Sequence, residues 1–127
     1  MSQPFLHVET VEVAEKTTVR ITGTIKDHTG TAIPAASLTA LTLTLYHKRT
    51  GTILNSRNGT SVLNANGGTV TSGGVFTMIL DPADNVLESQ SPSSETHEAL
   101  FTWTYNSGAA IGRQLVQFVV RNLTKVT

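Results

Sequence analysis

The stretch EALFTWTY at residues 98–105 constrains this chain more than any other. It carries the only Trp, Trp103, with Phe101, one of four Phe, and Tyr105, one of two Tyr. In an extended chain successive side chains point to opposite faces. Ala99, Phe101, Trp103 and Tyr105 therefore share one face, and Leu100, Thr102 and Thr104 share the other. Aromatic residues are only 6% of the chain, so much of its large apolar surface lies in this one strand. Aromatics in the middle of a strand of a small sandwich are core residues more often than ligand platforms. The stretch is read as the central strand of a β-sandwich core.

Other segments supply matching faces. Leu41, Leu43 and Leu45 alternate with Thr42, Thr44 and Tyr46, the most regular period of two in the chain. KRTG at 48–51 then turns, and residues 52–55 return as a partner strand. Val19, Ile21, Gly23 and Ile25 form a second apolar row, closed by the turn residues Asp27 to Gly30. Val116, Phe118 and Val120 point inward from the last strand. VFTMILD at 75–81 is apolar on both faces and is expected to be covered on both. FLHVETVEV at 5–13 reads as an opening strand. Strand-like segments recur at roughly 8–12-residue spacing, and none has the 3.6-residue apolar period of a helix. The expected fold class is all-β, a sandwich of about 7–9 antiparallel strands.

A chain of 127 residues fits one domain. Without cysteine there is no disulfide, thiolate nucleophile or zinc–thiolate site, which is compatible with folding in a reducing cytoplasm. Nine basic residues balance nine acidic ones, and charged residues are 14% of the total. No basic stripe is available for nucleic acid, and no apolar run reaches the length of a membrane helix. No signal peptide is evident at the N-terminus. Low charge near neutrality lowers the barrier to association with neighbours.

Reactive groups do not gather into a motif. His7, His28, His47 and His97 lack metal-ligand spacing. Asp81, Asp84 and Asn85 carry oxygens, but DPADN lacks the alternating acidic loop of an EF-hand and reads as a capped turn. Glu95 and Glu98 flank His97, with Glu95 assigned to a solvated polar loop over 88–96. No G-x-S-x-G elbow occurs, and the glycines mark turns rather than a phosphate cradle. The expectation is a chain without catalytic, cofactor-binding or metal-binding residues, and so not an enzyme. Function is sought instead at the N-terminal segment, the sheet edges and the loops at 55–66 and 88–96. Residues 1–8 are read either as an arm that seeks a partner or as the first strand, with the sandwich over 9–127. The candidate interface residues are Phe5, Leu6, His7, Val8, Tyr46 and Arg57.

Three landmarks carry a resemblance: GTIKD at 23–27, LDPADN at 80–85 and the F-x-W-x-Y of 101–105. With the segments around them, from Thr17 to Val126, the chain resembles small immunoglobulin-like structural proteins of tailed bacteriophages. More loosely it resembles the immunoglobulin-like and fibronectin-like modules of virion surfaces. The landmarks are structural, and the chain lacks the inter-sheet cysteines of antibody domains. The resemblance implies an immunoglobulin-like sandwich made in the bacterial host cytoplasm. It further implies a non-enzymatic virion component, a capsid decoration or cement protein or a neck- or tail-associated subunit. Partners would be other virion proteins or further copies of the chain. The alternative is a module binding carbohydrate or the host surface, which needs an exposed aromatic.

Overall fold

The computed structural model describes residues 6–8, 12–87 and 94–122. The described strands, in chain order, are β1 (Leu6–Val8), β2 (Glu12–Ala14), β3 (Val19–Thr24), β4 (Leu38–His47) and β5 (Thr60–Ser61). They continue as β6 (Gly68–Val70), β7 (Val75–Leu80), β8 (Ser94–Tyr105) and β9 (Ala110–Arg121). Short 3₁₀ turns occupy Ala35–Ser37 and Pro82–Asn85. No described helix is long and apolar enough to cross a membrane.

Two sheets share one core. The first has the order β1-β3-β7-β6, and the second β2-β9-β8-β4-β5. Alternation decides which side chains enter. From the second sheet come Leu41, Leu43 and Leu45 of β4, Phe101 and Trp103 of β8, and Phe118 and Val120 of β9. From the first come Ile21, Phe76, Met78 and Leu80. Phe76 meets Phe101 edge-on across the layers, with ring centroids 5.3 Å apart, a favoured aromatic geometry. Trp103 is 2% exposed and lies over Gly112 of β9. A Cβ at Gly112 would stand 2.4 Å from the indole ring, so the tryptophan needs a glycine beneath it.

Several expectations change. The opening FLHVETVEV is not one strand. Leu6–Val8 pair antiparallel with β3, whereas Glu12–Ala14 pair with β9 in the other sheet. The β2–β9 pair is parallel, and every other pair of described strands is antiparallel. The return after the KRTG turn is a single bridge, Tyr46 to Ile53, with β5 completing the edge beside Thr42 and Leu43. VFTMILD is covered on one face only. Phe76, Met78 and Leu80 are buried, while Val75 and Ile79 are 44% and 38% exposed on the outer face of the first sheet.

Candidate functional site

Three places in the fold concentrate polar chemistry or unpartnered apolar surface. The first is an ion pair at one end of the sandwich. Asp81 caps the 3₁₀ turn Pro82–Asn85: its side chain accepts from the Asp84 N–H, and the Asp84 side chain accepts from the Asp81 N–H. That capping box aims the Asp84 carboxylate inward, at 0% exposure. Arg57 meets it in a two-pronged arrangement, Nε to Oδ1 at 2.8 Å and Nη2 to Oδ2 at 3.0 Å. Asn55 donates to Asp84 Oδ1 at 2.8 Å, and Arg57 Nη1 reaches the Asn66 carbonyl at 2.9 Å. Burial pushes the Asp84 carboxyl up. The hydrogen bonds from Arg57, Asn55 and the Asp81 backbone outweigh it and hold the group below the usual carboxylate value. The same bond to Asp84 raises the Arg57 guanidinium. A groove of about 550 Å³ opens beside this pair, bordered by Asn55, Asn66, Gly67, Ile79 and Asp81.

Arg57 was expected at an interface. It is 8% exposed and tied to Asp84, so it fastens the loop at 55–59 to the turn after β7 instead of reaching outward. The oxygens of Asp84 are likewise engaged by protein donors, as the turn-capping reading anticipates. Asn85, beside it, donates to the Thr17 carbonyl at 2.7 Å and ties the same turn to the segment that leads into β3.

The second place was missed in the sequence. Glu95 lies in β8 rather than in a solvated loop, and with His97 it continues the inward stripe of Phe101 and Trp103. His97 Nε2 is 2.9 Å from Glu95 Oε1. The His97 ring packs edge-on against His47 and Phe118, with centroids 5.9 and 6.0 Å away. His97 Nε2 and Glu95 Oε1 thus pair with each other inside the core. Among the described residues no three His, Asp or Glu side chains converge to hold a metal ion. The rest of the polar loop, residues 88–93, lies outside the described residues.

The third place is the outer surface of the second sheet. Cross-strand register sets its rows: Thr42, Thr102 and Arg113; Thr44, Leu100 and Leu115; Tyr46, Glu98 and Gln117. Gln117 donates to Glu98, and the Tyr46 hydroxyl bonds the same carboxylate. Burial, then the bond to Glu98 and its charge, push the Tyr46 hydroxyl above its usual value. Tyr46 is half-buried and anchored in its row. Beside this polar row Ile111 and Leu115 are 56% and 43% exposed. Both belong to β9, whose far side is paired by β2 only at Val119–Arg121. Among the described residues no strand pairs with that side over residues 110–118. The sequence signal was present: outward apolar residues on a strand without Lys or Pro, the usual guards of a sheet edge.

Of the remaining expected interface residues, Leu6, His7 and Val8 form the edge strand β1, in register with Gly23, Thr22 and Ile21. Phe5 lies outside the described residues, as does the rest of the proposed arm. The chain matches no protein-family model and no curated protein.

Proposed function

We propose that this protein is a non-enzymatic structural subunit of a tailed-phage particle, a capsid decoration or a neck- or tail-associated protein, that acts by packing against other virion proteins. The observation that carries this reading is the exposed apolar pair Ile111 and Leu115 on the outer face of β9, a strand whose far side no other described strand pairs over residues 110–118. Unguarded edges recruit further strands, and a chain of zero net charge does not repel neutral neighbours.

The strand order supports an immunoglobulin-like assignment. In that fold four strands, A, B, E and D, face a sheet built on C, F and G, and variable-type domains add strands beside C. Here β1-β3-β7-β6 takes the place of the first sheet. In the second, β9-β8-β4 corresponds to G, F and C, with β5 added beside β4. The tryptophan departs from the antibody pattern, because Trp103 lies on β8 in the position of strand F.

No observation favours the carbohydrate-binding alternative. Trp103 is buried, and Tyr46 is held in its row by Glu98. The test is peptide mass spectrometry and antibody labelling of purified particles of the phage that encodes the chain. The expected result is a fixed ratio to the major capsid protein and a defined location. A chain found only in the host lysate, and never in washed particles, would overturn the proposal.

A further inference from the structure

We infer that Asn58 is a site of spontaneous deamidation, while the fold holds the chain's other Asn–Gly step, Asn66–Gly67, unreactive. This modification stands apart from the packing role proposed above. An asparagine amide is most labile before glycine, because glycine has no Cβ to hinder its own backbone nitrogen. The Gly59 nitrogen attacks Cγ of Asn58 and gives up its proton. The new N–Cγ bond closes a five-membered succinimide, and Nδ2 leaves as ammonia. Water then opens the ring at either carbonyl and leaves aspartate or isoaspartate. The step needs no oxidant or reductant.

The two Asn–Gly steps share a sequence and differ in surroundings. Asn58 and Gly59 are both exposed. Among the described residues the Asn58 side chain makes no hydrogen bond, and a Cβ at Gly59 would meet nothing within 4 Å. The amide is therefore able to swing against the Gly59 nitrogen without displacing a neighbour. Asn66 is exposed too, but its Nδ2 donates to the Ser61 carbonyl at 2.8 Å, and its own carbonyl accepts from Arg57 Nη1 at 2.9 Å. Gly67 is crowded: its carbonyl accepts from the Ile79 N–H at 2.9 Å, and a Cβ there would stand 2.6 Å from the Ile79 oxygen. Closing a succinimide at 66 must break the Ser61 bond and turn a peptide unit pinned by Arg57. One contact restrains the reactive step at 58. The Gly59 N–H donates to Thr44 Oγ1 of β4 at 2.9 Å. That bond holds the nitrogen away from attack until the exposed loop opens locally, so Thr44 is a positioning residue that sets the rate. The product adds a negative charge next to Arg57 in a chain of zero net charge. Isoaspartate also adds a carbon to the backbone between Gly59 and Arg57, whose carbonyl accepts from the Leu45 N–H at 2.8 Å.

The test ages the full chain in mildly alkaline buffer at physiological temperature and maps its peptides by mass spectrometry, with electron-transfer fragmentation telling isoaspartate from aspartate. A parallel incubation in guanidinium chloride removes the fold. In the unfolded chain Asn58 and Asn66 should convert at comparable rates. In the native chain Asn58 should convert many-fold faster than Asn66, and Asn58→Gln should abolish the main acidic species that accumulates. Thr44→Val keeps the side-chain shape without the oxygen and should speed conversion at 58 several-fold. Thr44→Ser restores the oxygen and should return the wild-type rate. A native chain in which Asn58 stays intact while the unfolded chain converts overturns the inference, as does equal native conversion at 58 and 66. A wild-type rate in Thr44→Val overturns the role given to Thr44.

Discussion

Replacing Arg57 by Met tests the ion pair that closes one end of the sandwich. Methionine keeps most of the buried stem and removes the guanidinium. Asp84 then retains its bonds from Asn55 and the Asp81 N–H but loses both prongs from Arg57 while remaining fully buried. Breaking a buried pair by removing one partner costs about 3–5 kcal/mol, because a desolvated charge is left behind. Against a typical total of about 5–15 kcal/mol, this is a large fraction. It corresponds to a fall in melting temperature of about 10–25 °C for a domain of this size. Urea denaturation followed by Trp103 fluorescence reads the change. Adding Asp84→Asn to Arg57→Met removes the stranded charge and should recover about 1–2 kcal/mol of the loss. The pH dependence has a defined sign. Asp84 titrates below its unfolded value in the native protein, so its contribution is complete above about pH 4. That contribution fades as the pH falls through the native value. The wild-type advantage over Arg57→Met should therefore narrow in acid. If the single variant loses under 1 kcal/mol at pH 7, or if the gap widens in acid, the pair does not close the fold as described.

Other perturbations probe the core and the surface. Trp103→Ala should cost about 3–5 kcal/mol, and an unchanged urea midpoint would refute its core placement. Gly112→Ala should cost about 1–3 kcal/mol by forcing the indole aside, with a shift in the Trp emission maximum as its mark. In a spectrophotometric titration Tyr46 should ionise above the usual tyrosine range. That step is assigned by its loss in Tyr46→Phe, and Glu98→Gln should bring it down by removing the negative charge; no movement would detach Tyr46 from Glu98. Val75→Thr and Ile79→Thr, on the outer face of the first sheet, should change stability by less than about 0.5 kcal/mol each, measured by the same urea transitions. Larger losses would mean that this face is covered.

The alternation of β4, β8 and β9 was legible because period two with apolar residues on one side leaves a strand a single way to face the core. The start of β8 was not, because Glu95 and His97 occupy inward positions and place a buried carboxylate against an imidazole there. Composition marks such residues as loop, and only the pairing partner reveals otherwise. The division of the opening segment left a trace that was read past. Apolar residues fall on even positions at Leu6 and Val8 and on odd positions at Val11 and Val13, and such a phase change marks a break in the strand. Arg57 and Asp84 gave no mutual signal, since a contact between two loops is set by the tertiary fold. The turn chemistry of DPADN was readable; where its second aspartate points was not. The β9 edge lay between these cases: the period of two from Arg113 onward was visible, whereas the strand's start at Ala110, within a segment that reads as a turn, and the order of strands beside it were not.

The parallel pairing of β2 with β9 also bears on how the chain is made. The partners of residues 12–14, at 119–121, are synthesised about a hundred residues after them. At elongation rates of roughly 5–20 residues per second, β2 waits for several seconds without its final neighbour. During that interval β3 to β8 can assemble, but the second sheet cannot close at β9. A strand synthesised late thus fixes one synthesised about a hundred residues earlier, and a ribosome stalled before residue 119 would hold β2 without its partner in the second sheet.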